Sequence, residues 1–379
     1  MLPGIFDDLL SVQLFGYISF RMAMAALTAF ALALACGGPA IRWLTRHKLK
    51  EAAKGDLALL DELSQRTGKA NTPTMGGSFL VGSLLVSVIL WGRLDNIAVV
   101  LAILLVAILG AVGFVDDAGK LSSAKKGISP RAKLLGQSAA ALFAAGAFAW
   151  YASIGDRHAL LDVFPPLFKD ARIGLAALGL LGIVAYLVFQ WFVVVGTSNA
   201  CNITDGLDGL AAGCMIIAGL ALAVFCYITG RADWAPYLGI PHVAAAGEMA
   251  VVGGALIGAC MGFLWFNAFP ARVFMGDSGS LPLGGLLAWM AVVAKQELVL
   301  PLIGLVFFVE MGSSFLQTQW FKRTKTRIFT CAPVHHGLQL HGGIFRKGGE
   351  PWPETQIVTR AWIVAAICAM ASLALLKVR

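Results

Sequence analysis

Apolar runs close to the length of a bilayer crossing alternate with short polar connections along nearly the whole chain. A helix needs about 20 mostly apolar residues to cross a membrane. Runs of that kind lie at roughly 20–44, 76–94, 97–115, 131–151, 175–195, 210–229, 248–266, 281–295, 298–319 and 361–377. The pattern predicts an all-α, polytopic membrane protein with about ten transmembrane helices. The segment 9–18 is a candidate interfacial helix, and the run that follows Gly284 is short. No internal repeat and no low-complexity linker divides the chain, so residues 1–379 read as one integral membrane domain.

Composition agrees with the pattern. Of 379 residues 58% are hydrophobic and only 13% charged, against about 25% charged in soluble domains. A net charge of +8 raises nucleic acid as a partner, but the bases gather in a few connections, which suits orientation in a lipid bilayer and excludes nucleic acid. Arg42, Arg46, Lys48, Lys50, Lys54, Arg66 and Lys69 lie between the first and second runs. Lys120, Lys125, Lys126 and Arg131 follow the third run, and Lys322, Arg323, Lys325, Arg327, Arg346 and Lys347 follow the ninth. These are alternate connections, so they share a side, and the positive-inside rule makes that side cytoplasmic. Cytoplasmic loops are then expected at about 45–75, 116–131, 196–210, 267–281 and 320–360, with both termini outside. The seven cysteines show no C-x-x-C spacing, which argues against a zinc site and against disulfides. Asp7 and Asp8 precede the first run where a cleaved signal would be basic, so that run is expected to be retained.

Three acidic clusters stand at the borders of apolar runs: Asp116-Asp117, Asn202 to Gly209 with Asp205 and Asp208, and Phe274 to Ser280 with Asp277. Carboxylates at such borders are costly and are usually retained for ions, substrates or protons. They follow the third, fifth and seventh runs, so all fall on the side that carries the basic loops. Adjacent carboxylates repel unless a cation joins them. Oxygen-only ligands suit Mg²⁺, which binds through one or two carboxylates together with phosphate oxygens. Lys120 and Lys133 lie near the Asp pair and could hold phosphates, so the combination points to phosphoryl transfer. Helix caps or solvated loop residues are the bland alternative for any one cluster.

In Asn199, Asn202, Asp205 and Asp208 polar groups recur at every third position, and Gly206 and Gly209 permit close backbone approach. His335, His336 and His341 follow Pro333 and could contact metal, phosphate or solvent. Glu310 and Gln317 lie two helical turns apart inside the ninth run, as functional groups or as partners in a buried hydrogen bond. The stretch from Gly113 to Leu121 lacks P-loop spacing, and no G-x-S-x-G or H-E-x-x-H occurs.

Several stretches carry a family resemblance: Thr72-Pro-Thr-Met-Gly-Gly77, Gly113-Phe-Val-Asp-Asp117, Asn202-Ile-Thr-Asp-Gly-Leu-Asp-Gly-Leu-Ala211, Phe266-Asn267 and Val273-Phe-Met-Gly-Asp-Ser-Gly-Ser280. Phe308-Val-Glu310, Pro333-Val-His-His336, Pro353-Glu354 and Arg360-Ala-Trp362 follow in order. In these the chain resembles the phospho-N-acetylmuramoyl-pentapeptide-transferase family, within the polyprenyl-phosphate N-acetylhexosamine-1-phosphate transferase superfamily. The resemblance implies a ten-helix enzyme of the bacterial cytoplasmic membrane. It would move phospho-MurNAc-pentapeptide from UDP-MurNAc-pentapeptide to undecaprenyl phosphate, giving lipid I and UMP. It implies Mg²⁺ as cofactor, with Asp277 as principal ligand and Asp117 and Asp205 as further candidates. Asp117 would activate the lipid phosphate with support from Asp116, and His335 and His336 belong to the same catalytic set. Asn202, Asp205 and Asp208 match the nucleotide side, and Gly206, Leu207, Asn267, Phe274 and Gln317 match a uridine pocket in which Phe274 stacks on the base. Lys69, Lys120 and Lys133 match phosphate and substrate contacts. Attack by the lipid phosphate and a covalent Asp intermediate both remain open at this point, and a homodimer is compatible with the resemblance.

The chain also departs from that pattern. Gly337 stands where the family usually has a third histidine, Gln339 where it has Glu and Asn71 where it has Gly, and a glycine-rich insertion spans 342–349. Two other readings compete. One is a related transferase that moves GlcNAc-1-phosphate or another UDP-sugar onto a polyprenyl phosphate. The other is a cation transporter, although transporters place their sites near the bilayer midplane rather than at a rim.

Overall fold

The computed structural model of the chain describes residues 13–47, 69, 72–121, 127–155, 157–168, 171–346 and 348–377. Asp7, Asp8, Lys48, Lys50, Lys54, Arg66, Asn71, Lys125, Lys126 and Lys347 lie outside the described residues. Each apolar run is helical. The principal helices are α1 (Ile18–Arg46), α2 (Gly77–Trp91), α3 (Ile97–Leu121), α4 (Pro130–Ile154), α5 (Gly179–Thr204) and α6 (Leu210–Thr229). They continue with α7 (Ala246–Asn267), α8 (Asp277–Val293), α9 (Leu305–Thr324), α10 (Val334–His341) and α11 (Glu354–Ala374). Among the described residues there are 7 helices long and apolar enough to cross a membrane, and α2 is a shorter apolar helix. The protein is therefore an all-α, polytopic membrane protein. Of the expected interfacial segment 9–18, the described part holds a short 3₁₀ turn, Gln13–Gly16.

The helices outrun the apolar pattern, which corrects the expected loop bounds. α3 and α5 continue through Asp116, Asp117, Lys120 and Asn202, residues assigned above to loops 116–131 and 196–210. The reason is local: Asp116 and Lys120 pair one turn apart at 3.0 Å, an arrangement that favours helix. α8 opens at Asp277 and α11 at Glu354, placing a carboxylate in each first turn, where the helix dipole favours it. α10 forms within the expected loop 320–360.

Small residues decide how closely the bundle packs. Ala25, Ala29, Ala33 and Gly37 form a buried stripe along α1 at four-residue spacing. Gly254, Gly258 and Gly262 of α7 face it, against Met22, Ala26 and the Phe30–Ala33 turn. Absent side chains let the two backbones approach, the usual basis of close helix pairing in a membrane. At one end of this pair the Arg21 guanidinium donates to both carboxylate oxygens of Glu248, at 2.6 Å each. α8 is buried at every one of its residues and packs against α3, α5, α2 and α6. It forms the axis around which the site is built.

A Cβ at Gly258 would run into the Ala26 carbonyl, whereas one at Gly82 would meet nothing within 4 Å. Gly258→Leu should therefore cost about 2–3 kcal/mol by overpacking, and Gly82→Ala should be neutral or slightly stabilising. Melting midpoints in detergent check this, and equal midpoints would remove the α1–α7 approach as a packing constraint.

Candidate active site

α8 begins where the chain makes a turn that only glycine accommodates. Gly276 sits at φ 70°, ψ −178°, and a Cβ there would lie 2.6 Å from Asp117 Oδ2. That turn aims the first amides of α8 at a neighbouring helix. Asp277 N–H and Ser278 N–H donate to the two oxygens of Asp117, at 3.2 and 2.9 Å. No local side chain caps α8, so Asp117 on α3 does so from across the bundle, satisfying amides that the helix leaves open. Asp205 accepts from Gly276 N–H at 3.2 Å. The Thr72–Gly77 motif braces the same turn. Gly76 N–H and Gly77 N–H donate to Phe274 and Met275 carbonyls at 2.8 Å each, and Phe274 N–H donates to the Pro73 carbonyl at 2.9 Å.

Charge then gathers around two lysines. Lys120 Nζ lies 3.0 Å from Asp116, 3.4 Å from Asp117 and 2.9 Å from Asp277. Lys133, in the first turns of α4, lies 2.7 Å from Asp277 and 3.7 Å from Asp116. Asn202 Nδ2 donates to Asp277 Oδ1 at 2.6 Å and to Ser280 Oγ at 2.8 Å. Asp116 Oδ1 accepts from Ile128 N–H at 2.9 Å. All three carboxylates are buried, and the three face two ammonium groups, so the cluster keeps an excess negative charge. The donor set consists of oxygens and suits Mg²⁺. Among the described residues no three acidic, His or Cys side chains stand in ready ligating geometry. Lys120 Nζ holds the point where the carboxylates converge.

Two further groups adjoin the cluster. Lys69 pairs with Asp208 at 2.8 Å and with Glu354 at 2.6 Å. Glu354 also accepts from Asp208 N–H at 2.6 Å, and Asp208 accepts from Ala271 N–H at 2.9 Å. Asn267 accepts from Gly209 N–H at 3.0 Å and donates to the Val273 carbonyl at 2.9 Å, tying the two acidic loops together. Leu207 is buried beside them and Phe274 is half-buried. On the other side Gly206 lies against the buried His335 ring, where a Cβ would collide. Glu310 holds His335, 3.1 Å from Nδ1 and accepting from its N–H at 3.3 Å. The His335 and His336 rings are 4.2 Å apart.

Of the residues named from sequence, Asp116, Asp117, Lys120, Lys133 and Asn202 gather at Asp277, Lys69, Asp208 and Asn267 form a neighbouring group, and His335 and His336 lie against Gly206. Gln317 is engaged elsewhere. The Gln317 amide accepts from Ile328 and Phe329 N–H at 3.0 and 3.1 Å and donates to the Phe329 carbonyl at 3.3 Å. It clasps the backbone after α9. Sequence reasoning did not single out Glu354 as a site residue. Its only signal was the Pro353-Glu354 helix start.

The sequence model of Glycosyl transferase family 4 matches residues 99–295. A phospho-N-acetylmuramoyl-pentapeptide-transferase of Neisseria gonorrhoeae (strain NCCP11945) is 41% identical over 374 residues, covering 98% of this chain and 97% of the relative. The chain belongs to the phospho-N-acetylmuramoyl-pentapeptide-transferase family. A relative of that name from Neisseria meningitidis serogroup C (strain 053442) is also 41% identical over 374 residues, with the same coverage. The family match spans α3 to α8, the part that supplies Asp116, Asp117, Lys133, Asn202 and Asp277.

His336 carries a pH signature. Burial first, then the adjacent His335 and Lys69, outweigh its contact with Gln339 and push its pKa from the ordinary 6.5 down to about 3. The folded protein then binds fewer protons than the unfolded chain between those values, so this contribution to stability is intact above 6.5 and is lost as the pH falls toward 3. Replacing His336 with Asn should flatten the fall of the melting midpoint across that acid range. An unchanged slope would mean that His336 titrates normally.

Proposed function

We propose that the protein transfers phospho-MurNAc-pentapeptide from UDP-MurNAc-pentapeptide to undecaprenyl phosphate, forming lipid I and releasing UMP. The observation that carries the reaction is the 41% identity, over 98% of the chain, to transferases of that name. An oxygen of the lipid phosphate attacks the β-phosphorus of the donor, the bond from that phosphorus to the bridging oxygen breaks, and UMP leaves. Lys120 and Lys133 neutralise the phosphate oxygens, and Asn202 steadies Asp277. Lys69, Asp205, Asp208, His335 and His336 hold the substrate on either side, with Gly206, Leu207, Asn267 and Phe274 around the uridine, while Gln317 steadies the backbone after α9. Direct attack by the lipid phosphate is favoured over a covalent Asp intermediate. Asp117 accepts an amide hydrogen bond on each oxygen, from Asp277 and from Ser278, which lowers its nucleophilicity and ties the carboxylate to the start of α8.

Asp277, with Asp117 and Asp205 beside it, would hold Mg²⁺, which when bound supplies positive charge to the diphosphate oxygens. The same reading makes the whole chain one domain with ten spans, both termini outside, and the site on the cytoplasmic face of the bacterial inner membrane. The basic connections on that side support this orientation.

The deciding assay is UMP release from UDP-MurNAc-pentapeptide with undecaprenyl phosphate and Mg²⁺, run beside UDP-GlcNAc. Release with UDP-GlcNAc alone would move the protein to the sister transferases. Asp117→Asn and Asp277→Asn should each lower kcat by about a thousandfold or more in protein that still melts cooperatively, and full activity in either would overturn its role. Chelation of divalent metal should stop turnover and added Mg²⁺ should restore it; chelator-resistant release would remove the metal from the reaction.

A further inference from the structure

The other end of α8 carries a second set of charges that the reaction does not use. Lys295 and Gln190 are fully buried and Glu297 is 3% exposed. Lys295 Nζ donates to Glu297 Oε1 at 3.1 Å and to the Leu160 carbonyl at 2.9 Å, and lies 5.8 Å from the centre of the Tyr186 ring. Gln190 Nε2 donates to the same Glu297 oxygen at 3.1 Å.

This knot sits where several helices end: Lys295 and Glu297 follow the last residue of α8, Thr229 at the end of α6 donates to the Ala294 carbonyl, and Leu160 lies in the turn after α4, while α5 alone runs on past it. α5 extends from Gln190 back to Gly179, about 16 Å more at 1.5 Å per residue, so α8 stops about halfway along its neighbour. A buried ion pair is weak evidence for stability, because apolar replacements of similar volume often do as well or better. Here Glu297 Oε2, Gln190 Oε1 and Tyr186 Oη are also buried without a hydrogen-bond partner among the described residues, which deepens the penalty. Charges kept buried at such cost call for a role other than stability.

The function follows from what the knot ties together. α5 and α8 run antiparallel from it to the active site. Ser198 Oγ donates to the Leu281 carbonyl at 2.9 Å along the way, and Asn202 meets Asp277 at 2.6 Å at the far end. A helix is stiff along its axis, so an axial slip at Lys295 carries to Asp277. We propose that Lys295, Glu297 and Gln190 are positioning residues. They fix the register of α8 on α5 and thereby hold the Asp277 carboxylate against Asn202, Lys120 and Lys133. The inference rests on the phosphoryl transfer proposed above.

Melting midpoint and UMP-release kinetics, measured on the full chain in detergent, separate register from stability. Lys295→Met leaves Glu297 buried without its cation and should lower the midpoint. Adding Glu297→Met removes that charge and should return the midpoint close to wild type. If the knot sets the register, kcat of the double variant stays about tenfold or more below wild type while KM for the donor moves less than about threefold. Lys295→Arg, which keeps the cation and its donors, should restore kcat. Gln190→Leu should lower kcat without leaving any charge unpaired, so the test holds even if Lys295→Met does not fold. Recovery of kcat together with the midpoint in the double variant, or a loss confined to KM, would reduce the knot to a structural element and overturn the proposal. A wild-type protein that releases no UMP would instead remove the reaction, and with it the knot's role.

Discussion

The charged and backbone groups that open α8 have to find their partners within the protein, because neither lipid nor a packed core supplies water. That obligation organises the active-site end of the protein. The first amides of α8 take Asp117 from α3, the Asp277 carboxylate takes Lys120 from α3, Lys133 from α4 and Asn202 from α5, and the Gly276 amide takes Asp205. Removing one partner would strand a buried charge, which is far costlier than losing a surface ion pair. The same interactions that assemble the helix ends therefore assemble the chemistry.

Much of the fold was legible because an apolar run of bilayer length rarely forms anything but a membrane helix; every run is helical, and seven of them lie in helices long and apolar enough to cross a membrane. Helix ends were not legible from hydropathy. The last turns of α3 and α5 are polar yet helical, since Asp116–Lys120 pairing and burial against α8 sustain them after the apolar run has stopped. α10 is too short to show a period among the polar residues that surround it. Hydropathy marks what lies against lipid or core, and the backbone can remain helical beyond it.

Site residues were legible where they contrasted with their surroundings. Asp116, Asp117, Asp205, Asp208 and Asp277 stand out from apolar neighbours, while Glu354 follows a proline in a polar loop and shows no contrast. Its partnership with Lys69 bridges distant parts of the chain and needs the fold to be seen. Lys295 and Glu297 were hidden for the opposite reason. Lys295 closes one apolar run and Glu297 falls in the short gap before the next, where charged residues are commonplace. Only the early stop of α8 against the longer α5 puts that gap inside the bundle.

The charge balance of the cluster also constrains how substrate can enter. Lys120 and Lys133 are already neutralised by Asp116, Asp117 and Asp277, so a diphosphate cannot draw the lysines to itself without exposing those carboxylates to one another. Buried like charges a few ångströms apart are strongly disfavoured. On the proposed reading the lysines would turn toward the diphosphate oxygens, and Asp116, Asp117 and Asp277 would keep a positive partner only if a divalent cation supplied the charge the lysines give up. The internal ion pairs would then be the resting state that substrate binding replaces. The register of α8 would matter most at that exchange, because Asn202 would hold the direction of Asp277 once its lysine partners turn away.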